Sequence, residues 1–82
     1  MNKMQSLAEA KVGETYEIVS VNGEGFIRRR ILDLGLTVGS KVKVVATAPL
    51  GDPIDIEVKG FNLSIRRNEA SAVKVRPVEG EN

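Results

Sequence analysis

Cysteine and histidine are both absent from this chain of 82 residues. Without thiols there is neither a disulfide framework nor a thiolate metal site. Without imidazole as well, a divalent ion is left with carboxylates, carbonyls and the thioethers of Met1 and Met4, a donor set suited to weak binding. The same gaps remove most nucleophilic and acid/base chemistry. Asp33, Asp52, Asp55 and Glu57 remain, and no pattern in the sequence draws them into one cleft. An enzyme is therefore not expected.

Charge of one sign is also lacking. Twelve basic residues against eleven acidic ones leave a net charge of +1, which argues against a dedicated nucleic-acid or membrane-surface binder. No apolar run follows the first residues as in a leader, and none reaches the length of a spanning helix. The expectation is a cytoplasmic protein with no direct membrane insertion. No composition break splits the chain. It reads as one small domain over 6–77, resting on a Val/Ile/Leu core, with flexible tails at 1–5 and 78–82.

The chain is organised around Ala48-Pro49-Leu50-Gly51-Asp52-Pro53. Two prolines cannot donate to a ladder and Gly51 can take positive φ, so this stretch reverses direction. On either side lie alternating runs, Lys41 to Thr47 and Ile54 to Lys59. Facing like with like pairs Val44 with Ile56, Val42 with Val58, Ala46 with Ile54 and Lys43 with Glu57, and sets Lys41 opposite Lys59. Before this hairpin, Ser6 reads as the N-cap of a helical turn at Leu7 to Ala10. Thr15 to Val21 reads as a first strand, its alternation blurred at Ile18-Val19 by burial on both faces or by a bulge.

One helix is expected, from Phe26 to Leu34, ended by Gly35 as a left-handed cap. Ile27, Ile31 and Leu34 form its buried stripe. Leu32 lies roughly 140° from that stripe, so it is either packed by a neighbouring loop or exposed. Leu36 to Ser40 is a connector. After Gly60, Phe61, Leu63 and Ile65 mark a fourth strand, Asn68 caps a turn at Glu69 to Ala72, and Val73 to Arg76 form a fifth strand stopped by Pro77. Five short strands must curl together to bury their inner faces. The expected fold is mostly β, a small SH3-like barrel of about five antiparallel strands with one short helix capping an opening.

Other motifs reduce to ordinary readings. Arg28-Arg29-Arg30 fans around a helix, because successive residues point about 100° apart. Gly23-x-Gly25 lacks the third glycine of a dinucleotide fingerprint, and Asn62-Leu63-Ser64 matches a glycosylation pattern without a secretory signal. Asp52 and Asp55 are the only compact carboxylate pair near a turn and the weak metal candidates, though turn chemistry and a solvated strand face are the favoured explanation.

Three stretches taken together, Arg30 to Gly39, Ala48 to Ile54 and Leu63 to Ala70, resemble the FeoA family in order and spacing. The resemblance implies an SH3-like barrel acting as a cytoplasmic accessory of bacterial ferrous-iron uptake. Its implied partner is the cytoplasmic part of the FeoB-type membrane transporter, which carries a G-protein domain. Similar domains end iron-dependent regulators, so a transition-metal-binding or metal-sensing domain is the alternative, with Asp52, Asp55 and Glu57 as its donors. A nucleic-acid-binding barrel would need Arg28, Arg30, Arg66 and Arg67 to converge, and no nucleic acid is expected. No catalytic residues and no firm cofactor come with the motif. Its matching positions, joined to the two apolar residues the fold does not require, nominate Leu32, Pro49, Leu50, Gly51 and Asp52 as partner contacts.

Overall fold

A computed structural model describes residues 4–78. Six strands form one antiparallel sheet: β1 (Gln5–Ser6), β2 (Thr15–Val21), β3 (Lys41–Thr47), β4 (Ile54–Val58), β5 (Phe61–Ile65) and β6 (Val73–Pro77). Two helices accompany them, α1 (Gly25–Asp33) and the four-residue α2 (Arg67–Ala70). The strand order is β1-β6-β2-β3-β4-β5. β1 and β5 are the two ends of the sheet and do not pair, so the sheet is not closed.

The central hairpin follows the expected register over half its length. Val42 faces Val58, Lys43 faces Glu57 and Val44 faces Ile56. Beyond Val44 the ladder shifts, so Ala46 faces Asp55 and Thr47 faces Ile54 in place of the expected Ala46–Ile54 pair. Val45 is the extra residue of a bulge, which bends the strand and increases its twist. A second bulge interrupts β2 between Ile18 and Ser20. It accounts for the blurred alternation at Val19. Lys41 does not oppose Lys59: it pairs with Glu17 on β2, while Lys59 lies in the turn after β4 with φ +52°.

Below this sheet one apolar cluster is buried, fed by the inward rows of β2, β3, β4 and β6. α1 covers it. Ile31 is fully buried, and Ile27, Leu32 and Leu34 pack against the cluster at its margin. Gly35 ends the helix at φ +97°, with its N–H on the Leu32 carbonyl and the Leu36 N–H on the Ile31 carbonyl. This is a Schellman closure, which brings the residue after the glycine back toward the helix. Leu36 is thereby fully buried, a core residue and not merely part of a connector.

Several local expectations are corrected. Gln5 is not tail: it pairs with Val75, and Ser6 with Lys74, giving a sixth strand. Ser6 makes no side-chain cap, and the segment after it is a three-residue 3₁₀ turn, Leu7–Glu9, anchored by burial of Leu7 and Ala8. Helix α2 begins at Arg67, not after Asn68. Arg66 is its N-cap residue, and since arginine offers no acceptor, only the returning half of a capping box forms, with the Arg66 N–H on Glu69 Oε1 at 2.9 Å. Pro77 ends β6 opposite Tyr16. There it lies past the two positions of β6 that pair with β1. The Val78 N–H then donates to the Thr15 carbonyl, so Val78, expected in the C-terminal tail, is held against β2. The remaining residues of that tail, 79–82, and residues 1–3 lie outside the described part of the chain.

Candidate functional site

The Ala48 to Pro53 turn is built by its own backbone. Gly51 donates its N–H to the Ala48 carbonyl at 2.7 Å, and Ala48 donates to the Pro53 carbonyl at 3.1 Å. Pro49 therefore occupies the second position of a four-residue turn, where its fixed φ fits. Gly51 sits at φ +85°, a region that costs other residues strain. The Asp52–Pro53 peptide bond is cis.

What holds the turn against the domain is α2. The Arg67 N–H donates to Asp52 Oδ1 at 3.0 Å, and Arg67 Nη1 donates to the Gly51 carbonyl at 3.4 Å. Asp52 thus satisfies one of the orphan donors at the start of α2. Its carboxylate is engaged 15 residues away in sequence, a pairing no local pattern announces. The same end of α2 is also secured by Glu69, which is only 6% exposed and accepts the Arg66 N–H. Its Oε2 accepts from Arg30 Nε on α1 at 2.6 Å. Burial pushes the Glu69 carboxyl up, but the Arg66 N–H, the Arg30 guanidinium and the positive charge of both arginines outweigh it and hold the group below the usual carboxylate range.

Between these anchors the turn presents its tip. Leu50 is 95% exposed and Pro49 is exposed beside it. Leu32, by contrast, is half-buried on α1 and packs against the core, so the loop-packed alternative is nearer its position than the exposed one. Gly51 and Asp52 shape the turn and orient the tip. Glu69, Arg30 and Arg67, none singled out for this role by sequence reasoning, are the residues that tie it down.

Asp52 and Asp55 do not converge. Asp52 is held by Arg67, and Asp55 accepts the Ser64 hydroxyl across the β4–β5 pair. Glu57 faces Lys43. Among the described residues no group of three or more carboxylates gathers that could hold a metal ion. The four arginines do not all converge. Arg30 and Arg66 line one groove, but Arg28 donates to the Val21 carbonyl at 3.3 Å, Arg30 to Glu69 and Arg67 to the Gly51 carbonyl, so three of them are engaged within the fold.

Comparison with known proteins accords with this architecture. The FeoA domain model matches residues 5–77. The chain belongs to the FeoA family. A fusion of Fe(2+) transport protein A with the Fe(2+) transporter FeoB, from Porphyromonas gingivalis, is 39% identical over 69 residues. That match covers 84% of this chain but 8% of the fusion. The solution structure of the Chlorobium tepidum FeoA protein is 45% identical, with a TM-score of 0.84 over 95% of this chain and 74% of that one. The zinc-complexed FeoA of Stenotrophomonas maltophilia, described as a prokaryotic SH3 domain protein, has a TM-score of 0.77 at 29% identity, covering 87% of this chain and 88% of that one. A manganese-dependent transcriptional repressor shares the fold at 15% identity, with a TM-score of 0.85 over 95% of this chain and 44% of that one. Among the described residues of this FeoA-family chain, no helix is long and apolar enough to cross a membrane.

Proposed function

We propose that this FeoA-family protein is a non-enzymatic, cytoplasmic accessory of ferrous-iron uptake that docks on the cytoplasmic part of a FeoB-type transporter. Leu50 is the centre of the contact, Pro49, Gly51 and Asp52 give it shape, and Leu32 contributes from α1. The observation that carries the reading is a leucine 95% exposed at the tip of a turn pinned by Arg67. Leaving such a side chain in water forgoes roughly 1.5–3 kcal/mol of burial, which a partner can recover. Because the turn is already ordered, little entropy is lost when it binds. The fused relative, in which a domain similar to this one is joined to a transporter, supports the choice of partner.

Titration of the transporter's cytoplasmic domain with this protein tests the reading. Leu50→Ala should weaken binding about tenfold, the loss of roughly 1.4 kcal/mol, without moving the urea midpoint. Absence of binding by the wild type would sink the partner, and an unchanged affinity for Leu50→Ala would sink the contact. Among the described residues no arrangement of donors favours a metal-sensing role, and flat heats in anaerobic titration with ferrous ion would leave that role without support.

A further inference from the structure

Strand β5 ends the sheet, and its free side is open in a specific way. The turn before it is Lys59-Gly60, with φ +52° and +82°. Two successive left-handed residues make a type I′ hairpin, in which the flanking pair, Val58 and Phe61, is hydrogen-bonded. Antiparallel alternation then directs the backbone of Leu63 and Ile65 toward β4, and turns the N–H and C=O of Asn62 and Ser64 outward. Among the described residues, no backbone hydrogen bond outside the sheet reaches either of them.

Edge strands are usually blunted by charge, proline, a bulge or brevity. β1, the opposite edge, has two residues. β5 has five, Phe61-Asn62-Leu63-Ser64-Ile65, with no charge, no proline and no shift in its register. Its inward row is also progressively uncovered. Ile65 is buried, Leu63 half-buried and Phe61 70% exposed.

The charges at its ends select the occupant. Lys59 lies before the strand, and Arg66 and Arg67 lie after it. A second copy paired antiparallel about Leu63 would set Lys59 against Arg67 at both ends, a like-charge opposition. An acidic partner meets the opposite situation. At the Arg66 end a groove of about 430 Å³ opens, lined by Arg30, Ser64, Ile65, Arg66, Asp52 and Pro53, with Asp52 Oδ1 already committed to the Arg67 N–H.

We propose that β5 is a strand-addition site for an extended segment of another protein, one that alternates apolar and small polar residues and carries acidic residues at its ends. Backbone bonds to Asn62 and Ser64 supply the pairing, cover over Phe61 and Leu63 supplies apolar contact, and Lys59 and Arg66 select the flanks. The site adjoins the Leu50 contact at Asp52 but does not depend on it, since its pairing rests on Asn62 and Ser64.

The test uses the full chain, labelled with ¹⁵N, and a short synthetic peptide of alternating valine and threonine flanked by glutamates. Amide exchange at Asn62 and Ser64 should slow on addition, and the glutamate-flanked peptide should bind about tenfold more tightly than a lysine-flanked one. Asn62→Pro removes an outward N–H without touching the β4 ladder, and should abolish binding. Should that variant fail to fold, Arg66→Gln decides through a loss of the glutamate preference. The proposal is overturned if neither peptide binds, if the two amides stay unprotected, or if the preference survives Arg66→Gln. It is also overturned if both amides are already protected in a concentration-dependent dimer, which would make a second copy the occupant.

Discussion

Replacing Glu69 with alanine isolates the link between the two helices. The wild-type carboxylate accepts from the Arg66 N–H at 2.9 Å and from Arg30 Nε at 2.6 Å. Arg30 keeps 52% of its side chain in solvent, so once released it is rehydrated and its share is that of an exposed pair, up to about 1 kcal/mol. The Arg66 N–H is part-buried and loses its acceptor, at a cost of roughly 1–2 kcal/mol. Together these give about 2 kcal/mol, or a fall in Tm on the order of 10 °C for a domain of this size. Urea unfolding with an unchanged slope is the assay. Glu69→Gln should lose about half as much, because an amide oxygen can still serve Arg66. A loss under about 0.5 kcal/mol for the alanine variant would refute the reasoning, as would equal losses for alanine and glutamine. Paired with Arg30→Met, Glu69→Ala should be less than additive, since both remove the same ion pair.

Further outcomes follow from the same structure. Because the Glu69 carboxyl is held below its usual 4.5, its stabilisation is complete above that pH and is lost as pH falls through the lower folded-state value. Urea midpoints measured down an acid series should therefore drop more steeply in the wild type than in Glu69→Gln. Leu36→Ala empties a fully buried position and should cost about 2–4 kcal/mol, with near-native circular dichroism before the transition. Lys59→Asn should stabilise by about 0.5 kcal/mol, since asparagine tolerates the φ of +52° better, and a lower midpoint would contradict that account.

How much of this was legible in the sequence depends on the range of the interaction. Val42, Val44, Ile56 and Val58 declare their register because one face of that hairpin is buried, and a slip would expose them all. The bulge at Val45 is silent, since a bulge is a difference in count between two strands and neither strand records it alone. β1 is silent for a related reason: two residues carry no period, and Gln5 and Ser6 are extended because Val75 and Lys74 are there to receive them. Helix α2 misleads in another way. Asn68 is the better cap by type, but Glu69 reaching back to Arg66 sets the boundary. Leu36 was within reach, because an apolar residue directly after a helix-ending glycine is the position a Schellman closure buries.

The candidate site divides along the same line. Proline, glycine and aspartate mark the turn locally, so its place in the chain was readable. Whether Leu50 was buried could not be read, because that depends on what the rest of the fold places above it. Nor could the tether to Arg67, which needs the neighbourhood of Ile54 and Ile65 across β4 and β5 before the two segments meet. Half-burial of Leu32 has a similar origin. A helical wheel treats α1 as an isolated cylinder, whereas its last turn sits where the chain reverses at Gly35.

The two bulges also govern how this chain tolerates changes of length. Deleting Val45 leaves Val44 opposite Ile56, Ala46 opposite Asp55 and Thr47 opposite Ile54, so every remaining partner is kept. Deleting Val42 instead would pull Lys43 onto the row of Val44 and invert one stretch of the strand. A single-residue gap is thus nearly silent at one position and ruinous three positions away. Val19 holds the corresponding place in β2, between Ile18 and Ser20. Gaps among related chains should collect at these two points, where the ladder already counts one residue too many.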